Sequence, residues 1–383
     1  MNDLTAKRCV LIHSPVLDQG GYPEACPFNT SRAGKALSTI ESMALLSGDD
    51  RRVEAPQALS DAELGTFHTP EYLDALRRAG MGDLTPDEAL AAGLGTPDCP
   101  IFKDMYDYVA LAAGATVIGA RMIIDGTADI AFNPSGGFHH AQSGNAAGFC
   151  FVNDIVLAAQ EFVNAGKRVL FLDIDVHHCD GVQDTFFDSR DVMTVSLHEG
   201  GKTLFPGTGF EDEIGVGLGK GYCVNVPLPV GTYDEAYERV FKSAVLPLIR
   251  EYAPDVIILE LGMDALAGDP LAHLHLTNNV HANITETLVE MNIPILATGG
   301  GGYNVENTVR GWALCWSVLC GDHQDYQDLM MGMGGVMLGN TDWVGGLRDH
   351  SMLAHGGVRE TIDAEIERVT KALQLTVFPL HGL

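Results

Sequence analysis

An apolar run, Val169-Leu170-Phe171-Leu172, ends abruptly in Asp173-Ile174-Asp175-Val176-His177-His178. Packing alone asks for neither the carboxylates nor the imidazoles. Ionised carboxylates at the end of a buried strand carry a desolvation cost unless a cation or hydrogen bonds satisfy them. Alternation along an extended segment puts Asp173, Asp175 and His177 on one face, which makes Asp175 and His177 candidate metal ligands. Taken alone, Asp-x-His reads equally well as a strand end with a satisfied carboxylate and a core histidine. Asp264 follows the apolar run 256–259 in the same way and completes an Asp2His set. Three protein ligands leave the open position that a catalytic zinc needs, and oxygen-rich ligation also tolerates Fe(II), Mn or Co. A turn or N-cap carboxylate is the plainer reading of Asp264.

His139-His140 follows Gly136-Gly137-Phe138. Paired imidazoles suit proton transfer near neutral pH, and Asp173 and Asp180 are spare carboxylates able to orient them. Adjacent core histidines satisfied by backbone carbonyls are the alternative. Four glycines, Gly299 to Gly302, precede Tyr303. Such a turn lets the backbone approach a ligand closely, and the phenol could donate to an oxyanion. A phosphate loop is excluded, because no Gly-Lys-Ser/Thr follows the glycines.

These groups need a scaffold. Strand-like runs at residues 9–12, 130–132, 169–172, 192–197, 256–259 and 293–297 alternate with helical stretches at 106–124, 154–164, 233–252 and 279–290. Two further helices are expected near 308–319 and 359–373. The pattern predicts an α/β fold, a mostly parallel sheet flanked by helices. In such sheets ligands sit beyond the carboxyl ends of the strands, where all four polar clusters lie. The Gly-rich passage 331–335 reads as a loop, so residues 1–383 are expected to form a single domain.

The chain has 383 residues, 46% of them apolar, with 23 Lys and Arg against 51 Asp and Glu. A formal charge of −28 argues against a nucleic-acid partner; it is read as a solvated acidic surface, or as a field that attracts cationic substrates. The start, Met1-Asn2-Asp3-Leu4-Thr5-Ala6-Lys7-Arg8, does not resemble a secretory signal. No uninterrupted apolar stretch reaches spanning length, so no membrane partner is expected. Eight scattered cysteines suit a reduced setting, and the expected localisation is cytoplasmic.

Gly136-Gly137-Phe138-His139-His140-Ala141, Gly148-Phe149-Cys150-Phe151-Val152-Asn153-Asp154, the Asp173 to His178 block, Phe205-Pro206-Gly207-Thr208-Gly209, Asp264-Ala265-Leu266-Ala267-Gly268-Asp269-Pro270 and Gly299 to Tyr303 together resemble the signature blocks of the zinc-dependent histone deacetylase family. The likeness runs in order over residues 8–320, and is greatest to the class I-like branch that includes bacterial acetoin utilization proteins. It implies the arginase/deacetylase fold and a zinc-dependent amidohydrolase that removes acyl, above all acetyl, groups from lysine side chains or similar amines. It implies Asp175, His177 and Asp264 as zinc ligands, His139 and His140 as the proton-transfer pair oriented by Asp173 and Asp180, and Tyr303 as the carbonyl-polarising phenol. By the same resemblance Gly148, Phe149, Phe205 and Leu271 wall an acyl-lysine tunnel, and Asp98 is a rim carboxylate that holds the substrate backbone. Potassium is implied at an inner site (Asp173, Asp175, His177, Ser196, Leu197) and an outer one (Phe186, Ser189, Val192, Tyr222). The implied partner is an acylated lysine peptide or protein, or a small acylated amine.

Cys179 stands where the family carries glycine, and Tyr22-Pro23-Glu24-Ala25-Cys26-Pro27 only partly follows the family's rim pattern. Three alternatives stand beside the main reading: an acetylpolyamine or small-amide deacetylase, an arginase-like ureohydrolase, and a non-catalytic acyl-lysine binder. The ureohydrolase would need a second carboxylate where Leu266 stands; the binder should have lost a ligand, a histidine or the phenol. His13, His68, His178, His198, His273 and His275 are expected to be structural or surface residues. Trp312 and Trp316 are expected to be core.

Overall fold

Short apolar strands must be covered on both faces, and alternation along the central strands here is resolved into two hydrophobic layers. The computed structural model describes residues 7–322, 346–352 and 356–383; the glycine passage 331–335 lies outside them. Strands β1 (Cys9–Ile12), β2 (Arg51–Glu54), β3 (Ile130–Asn133), β4 (Val169–Asp173), β5 (Val192–Glu199), β6 (Cys223–Leu228), β7 (Val256–Glu260) and β8 (Ile295–Thr298) form one sheet. Their order is β2-β1-β3-β8-β7-β4-β5-β6, and every neighbouring pair is parallel. Leu170 and Leu172 join a core layer with the helices 234–252, Asn278–Glu290 and Val305–Leu319. Val169 and Phe171 face the opposite layer, with Met105–Ile124 and Asp154–Asn164.

The expected strands and main helices are present, with ends shifted by a few residues. Two strands were not anticipated, and both are sheet edges. β2 is Arg-Arg-Val-Glu and β6 contains Pro227; charge and proline belong on edges. The stretch expected as one helix over 233–252 carries a π-turn at Phe241–Val245. Pro247 follows it, and a proline ring inside a helix clashes with the carbonyl four residues back, so the wider turn gives it room. Helix Met105–Ile124 is, by length and apolar composition, long enough to cross a membrane, yet 67% of its apolar window is buried inside the protein. Gly119 explains part of that fit: a Cβ there would come within 2.8 Å of Leu296 and 3.0 Å of Ile12.

Four neighbouring strands, β3, β8, β7 and β4, lie at the centre of the sheet. Their carboxyl ends deliver the loops with His139 and His140, Tyr303, Asp264, and Asp175 with His177.

Candidate active site

β4 stops at Asp173, so the expected extended face through Asp173, Asp175 and His177 is corrected. The Asp173 carboxylate accepts the Asp175 N–H at 2.9 Å, and Asp175 accepts the His177 N–H at 2.8 Å. Carboxylates bonding the backbone two residues on turn the chain, and this pair of turns curls it into the site. Asp175, His177 and Asp264 still converge: the His177 Nδ1 is 3.1 Å from both Asp175 Oδ1 and Asp264 Oδ2. All three side chains are buried, with their ligand atoms within 4.8 Å of one another. Backbone groups aim the carboxylates, since Gly301 N–H donates to Asp175 at 2.7 Å and Val176 N–H to Asp264 at 3.0 Å. A Cβ at Gly262 or Gly301 would lie 2.0 Å from one of these carboxylates, so only glycine fits there.

The electrostatics of this trio follow from two buried carboxylates around one imidazole. Burial drives the Asp264 carboxyl up to about 7, with the Asp175 charge adding to it. Burial disfavours the His177 imidazolium, but its bonds to Asp175 and Asp264 outweigh this and lift it to about 10. Asp175 is held low, because the His177 contact overcomes its burial. The imidazolium thus does the work of a cation between two carboxylates.

Beside the trio, His139 and His140 turn their Nε2 atoms to within 3.0 Å of each other. The His139 Nδ1 is 2.7 Å from Asp173 Oδ2, and the His140 Nδ1 is 2.6 Å from Asp180 Oδ1. Their proton affinities diverge. Burial and the neighbouring His139 lower His140 to about 4. Burial also disfavours charge on His139, but Glu260 and Asp173 outweigh it and raise that imidazole well above its ordinary value. The loop that carries them is not slack. Asp154, buried at the start of its helix, accepts from the backbone N–H of Gly137 at 3.0 Å and of Phe138 at 2.8 Å. Asn153 donates to the Ala141 carbonyl at 2.9 Å.

The glycine turn brings Tyr303 close enough for its phenol to feel the charges of Asp264 and Asp175. Asp269 accepts its backbone N–H at 2.7 Å, and its ring lies 5.5 Å from that of Phe149. Arg32, buried and reaching in from helix Arg32–Ser42, donates to the carbonyls of Gly302 at 2.6 Å and Gly300 at 3.1 Å. Phe205 stands 4.9 Å from the His140 ring and is 45% exposed, so the imidazole pair adjoins a residue that reaches the surface. Gly148 sits against His140, where a Cβ would be 2.4 Å from the imidazole. Asp98 is half-buried; its carboxylate accepts the Gly148 N–H at 3.2 Å and the Thr96 hydroxyl at 2.8 Å. Leu271 follows Asp269, which accepts its N–H at 2.9 Å.

The residues read for potassium fall in two places. Ser196 pairs in register with Asp173, and Leu197 follows it on β5. Val192 opens that strand at its other end, near Phe186, whose carbonyl accepts the Ser189 N–H at 2.9 Å, and Tyr222, whose carbonyl accepts the Thr194 N–H at 2.9 Å. Cys179 is buried with φ −77° and ψ 54°, a conformation open to any L-residue, so the exchange from glycine needs no distortion. His178 is held by Thr208 and Gln183 at 2.8 and 2.9 Å, apart from the imidazole pair. Trp312 and Trp316 are fully buried.

The sequence reading missed Arg32, Asp154 and Asp269 as braces of the site. It also missed Glu260, whose Oε1 is 3.2 Å from the His139 Nδ1. A charged residue ending a fully apolar strand was the available signal for Glu260; the others declare themselves only through tertiary contacts.

Residues 26–319 match the family model described as histone deacetylase domain. Histone deacetylase 8 of Xenopus tropicalis is 39% identical over 317 residues, covering 82% of this chain and 84% of its own. Acetoin utilization protein AcuC of Bacillus subtilis (strain 168) is 39% identical over 315 residues, covering 80% and 81%. Histone deacetylase 9 of Arabidopsis thaliana is 41% identical over 271 residues, and the match takes in 70% of this chain but only 62% of that longer relative. A crystal structure of an HDAC homolog complexed with SAHA superposes with a TM-score of 0.80 at 29% identity, over 95% of this chain and 100% of the other. The fold is the arginase/deacetylase fold.

Proposed function

We propose, because the chain belongs to the histone deacetylase family, that it is a zinc-dependent amidohydrolase releasing acetate from acetylated lysine side chains or similar amines. One observation carries the reading: two imidazoles with facing Nε2 atoms, each backed by its own carboxylate, stand beside a buried Asp2His trio. The trio fits a divalent ion. Zinc bonds of ~2.0–2.2 Å set ligand atoms about 3.3 Å apart around a tetrahedron, and the His177 nitrogen is 3.1 Å from each carboxylate oxygen. Asp175, His177 and Asp264 would hold the ion, which would supply Lewis-acid polarisation of an amide carbonyl and of water.

The remaining chemistry belongs to the side chains. His140, held neutral and adjoining Phe205, takes a proton from the attacking water. Pushing two neighbouring groups apart in proton affinity is how acid and base are divided, so His139 is the proton source for the departing amine. The Tyr303 hydroxyl donates to the oxyanion, and Phe149 and Phe205 pack the methylenes of a slender chain. Oxygens of Asp173, Asp175, His177, Ser196 and Leu197 are our candidate inner potassium site, with Phe186, Ser189, Val192 and Tyr222 as the outer one. The ureohydrolase alternative is disfavoured by Leu266, an apolar core residue where that chemistry needs a carboxylate.

The test is a hydrolysis screen of zinc-reconstituted protein against acetylated peptides, acetylated polyamines and small acyl amides. Turnover of acetyl-lysine peptides above the others is expected. A strong preference for acetylpolyamines would overturn the protein-substrate assignment, and no turnover of any acyl amide would overturn the reading altogether.

A further inference from the structure

We propose that Glu260 is a positioning residue for His139, acting through the imidazole and not on substrate; the proposal rests on the hydrolase reading above. Glu260 ends β7 in register with Asp173 at the end of β4. Its side chain is fully buried and neither carboxyl oxygen has a hydrogen-bond partner. Burying such a group unpaired is unfavourable, and an apolar side chain of the same size would fill the space at no such cost. What distinguishes the position is its neighbours. Oε1 lies 3.2 Å from the His139 Nδ1, while Asp173 Oδ2 lies 2.7 Å from the same nitrogen. A Cβ on either Gly137 or Gly300 would come 3.0 Å from Oε1, and the Gly300 N–H donates to the Gly136 carbonyl at 2.9 Å.

The carboxyl therefore sits under the crossing of two loops, one carrying His139 and the other Tyr303. A single contact to Asp173 fixes one direction from Nδ1 and leaves the ring free to swing about it. Glu260 Oε1, 3.2 Å from the same nitrogen though not hydrogen-bonded to it, limits that swing by contact, and with it the direction of Nε2 toward His140. The two glycines let both loops close over this oxygen, so the imidazole and the phenol are referenced to one fixed point.

The experiment compares Glu260→Gln and Glu260→Leu in the zinc-loaded enzyme, reading kcat, KM, bound zinc and the His139 imidazole resonances in protein carrying 15N-histidine. Glu260→Leu should lower kcat by ~10- to 100-fold, the range typical when an orienting partner is lost, with KM and zinc content unchanged. Glu260→Gln keeps an oxygen in place and should recover most of the loss. In Glu260→Leu the His139 Nδ1–H resonance should shift or broaden. Wild-type kcat in the Leu variant, equal losses in both variants, or loss of zinc would each overturn the positioning role. The resonance needs no substrate: a displaced signal in a protein without hydrolase activity would overturn the function and spare the positioning, whereas an unmoved signal overturns the positioning alone.

Discussion

Zinc binding should weaken from pH 8 to pH 6, because the ligand trio holds protons that a metal must displace. His177, lifted to about 10, is charged at both pH values and loses one proton on ligation at either. Asp264, at about 7, is the group that changes between them. With that value it is about 90% protonated at pH 6 and about 10% at pH 8, so roughly 0.8 additional protons are displaced at the lower pH. The sign follows: a carboxyl raised in the metal-free protein opposes metal below its pKa and not above it. Its contribution weakens apparent zinc affinity by about tenfold from pH 8 to pH 6, or ~1.4 kcal/mol. Calorimetric zinc titration of the metal-free protein, in buffers of different ionisation enthalpy, counts the protons directly. Asp264→Asn should lose most of the zinc affinity, because it replaces one of the three ligands. A zinc affinity that does not fall between pH 8 and pH 6 would refute the assignment of this trio as the metal site.

Tyr303→Phe removes one oxygen and leaves the ring against Phe149, so folding should be unaffected while kcat falls ~10²- to 10³-fold; unchanged turnover would put the phenol outside the chemistry. Gly148→Ala should lower both activity and stability. A left-handed backbone costs an L-residue ~1–2 kcal/mol, at a φ of +52° with a Cβ 2.4 Å from His140, and normal kcat with a normal melting temperature would refute the close fit. Asp98→Ala should reduce peptide turnover more than that of a small acyl amide without backbone donors. Since Asp98 also accepts the Gly148 N–H, equal losses on both substrates would reduce it to a brace for the loop.

Much of the site was readable because the chemistry sits at the ends of short, fully apolar strands. Asp173 ends the run 169–172, and Glu260-Leu261-Gly262-Met263-Asp264 follows 256–259; such neighbours have no packing reason to be polar. Central strands buried on both faces announce themselves by composition. Edge strands do not: β2 is mostly charged, and Pro227 in β6 reads as a stop. Helices such as Arg32–Ser42 and Pro70–Met81 expose polar residues along much of their surface and were passed over. The curl of Asp175 and His177 out of the strand depends on side chain to backbone bonds two residues apart, which periodicity cannot see. Arg32, 270 residues from the glycine carbonyl it grips, depends on a meeting that no local pattern encodes.

The strand order has a consequence for biosynthesis. A ribosome delivers β1, β2 and β3 early, then β4, β5 and β6, and only afterwards β7 and β8, which belong between β3 and β4. Until β7 and then β8 have emerged, no strand is available to cover the edges of β4 and β3 that they pair with in the finished sheet, and both strands consist of buried, mostly apolar residues. Open edges of that kind recruit other strands, and non-local pairing is slow. His139 and His140 lie on the loop after β3, Asp175 and His177 on the loop after β4, and Asp264 and Tyr303 on the loops after the two late strands β7 and β8. A chain arrested or cut before those two strands would carry no working centre and two adhesive edges, so yield during synthesis should fall with rising temperature and recover when a chaperone shields those edges.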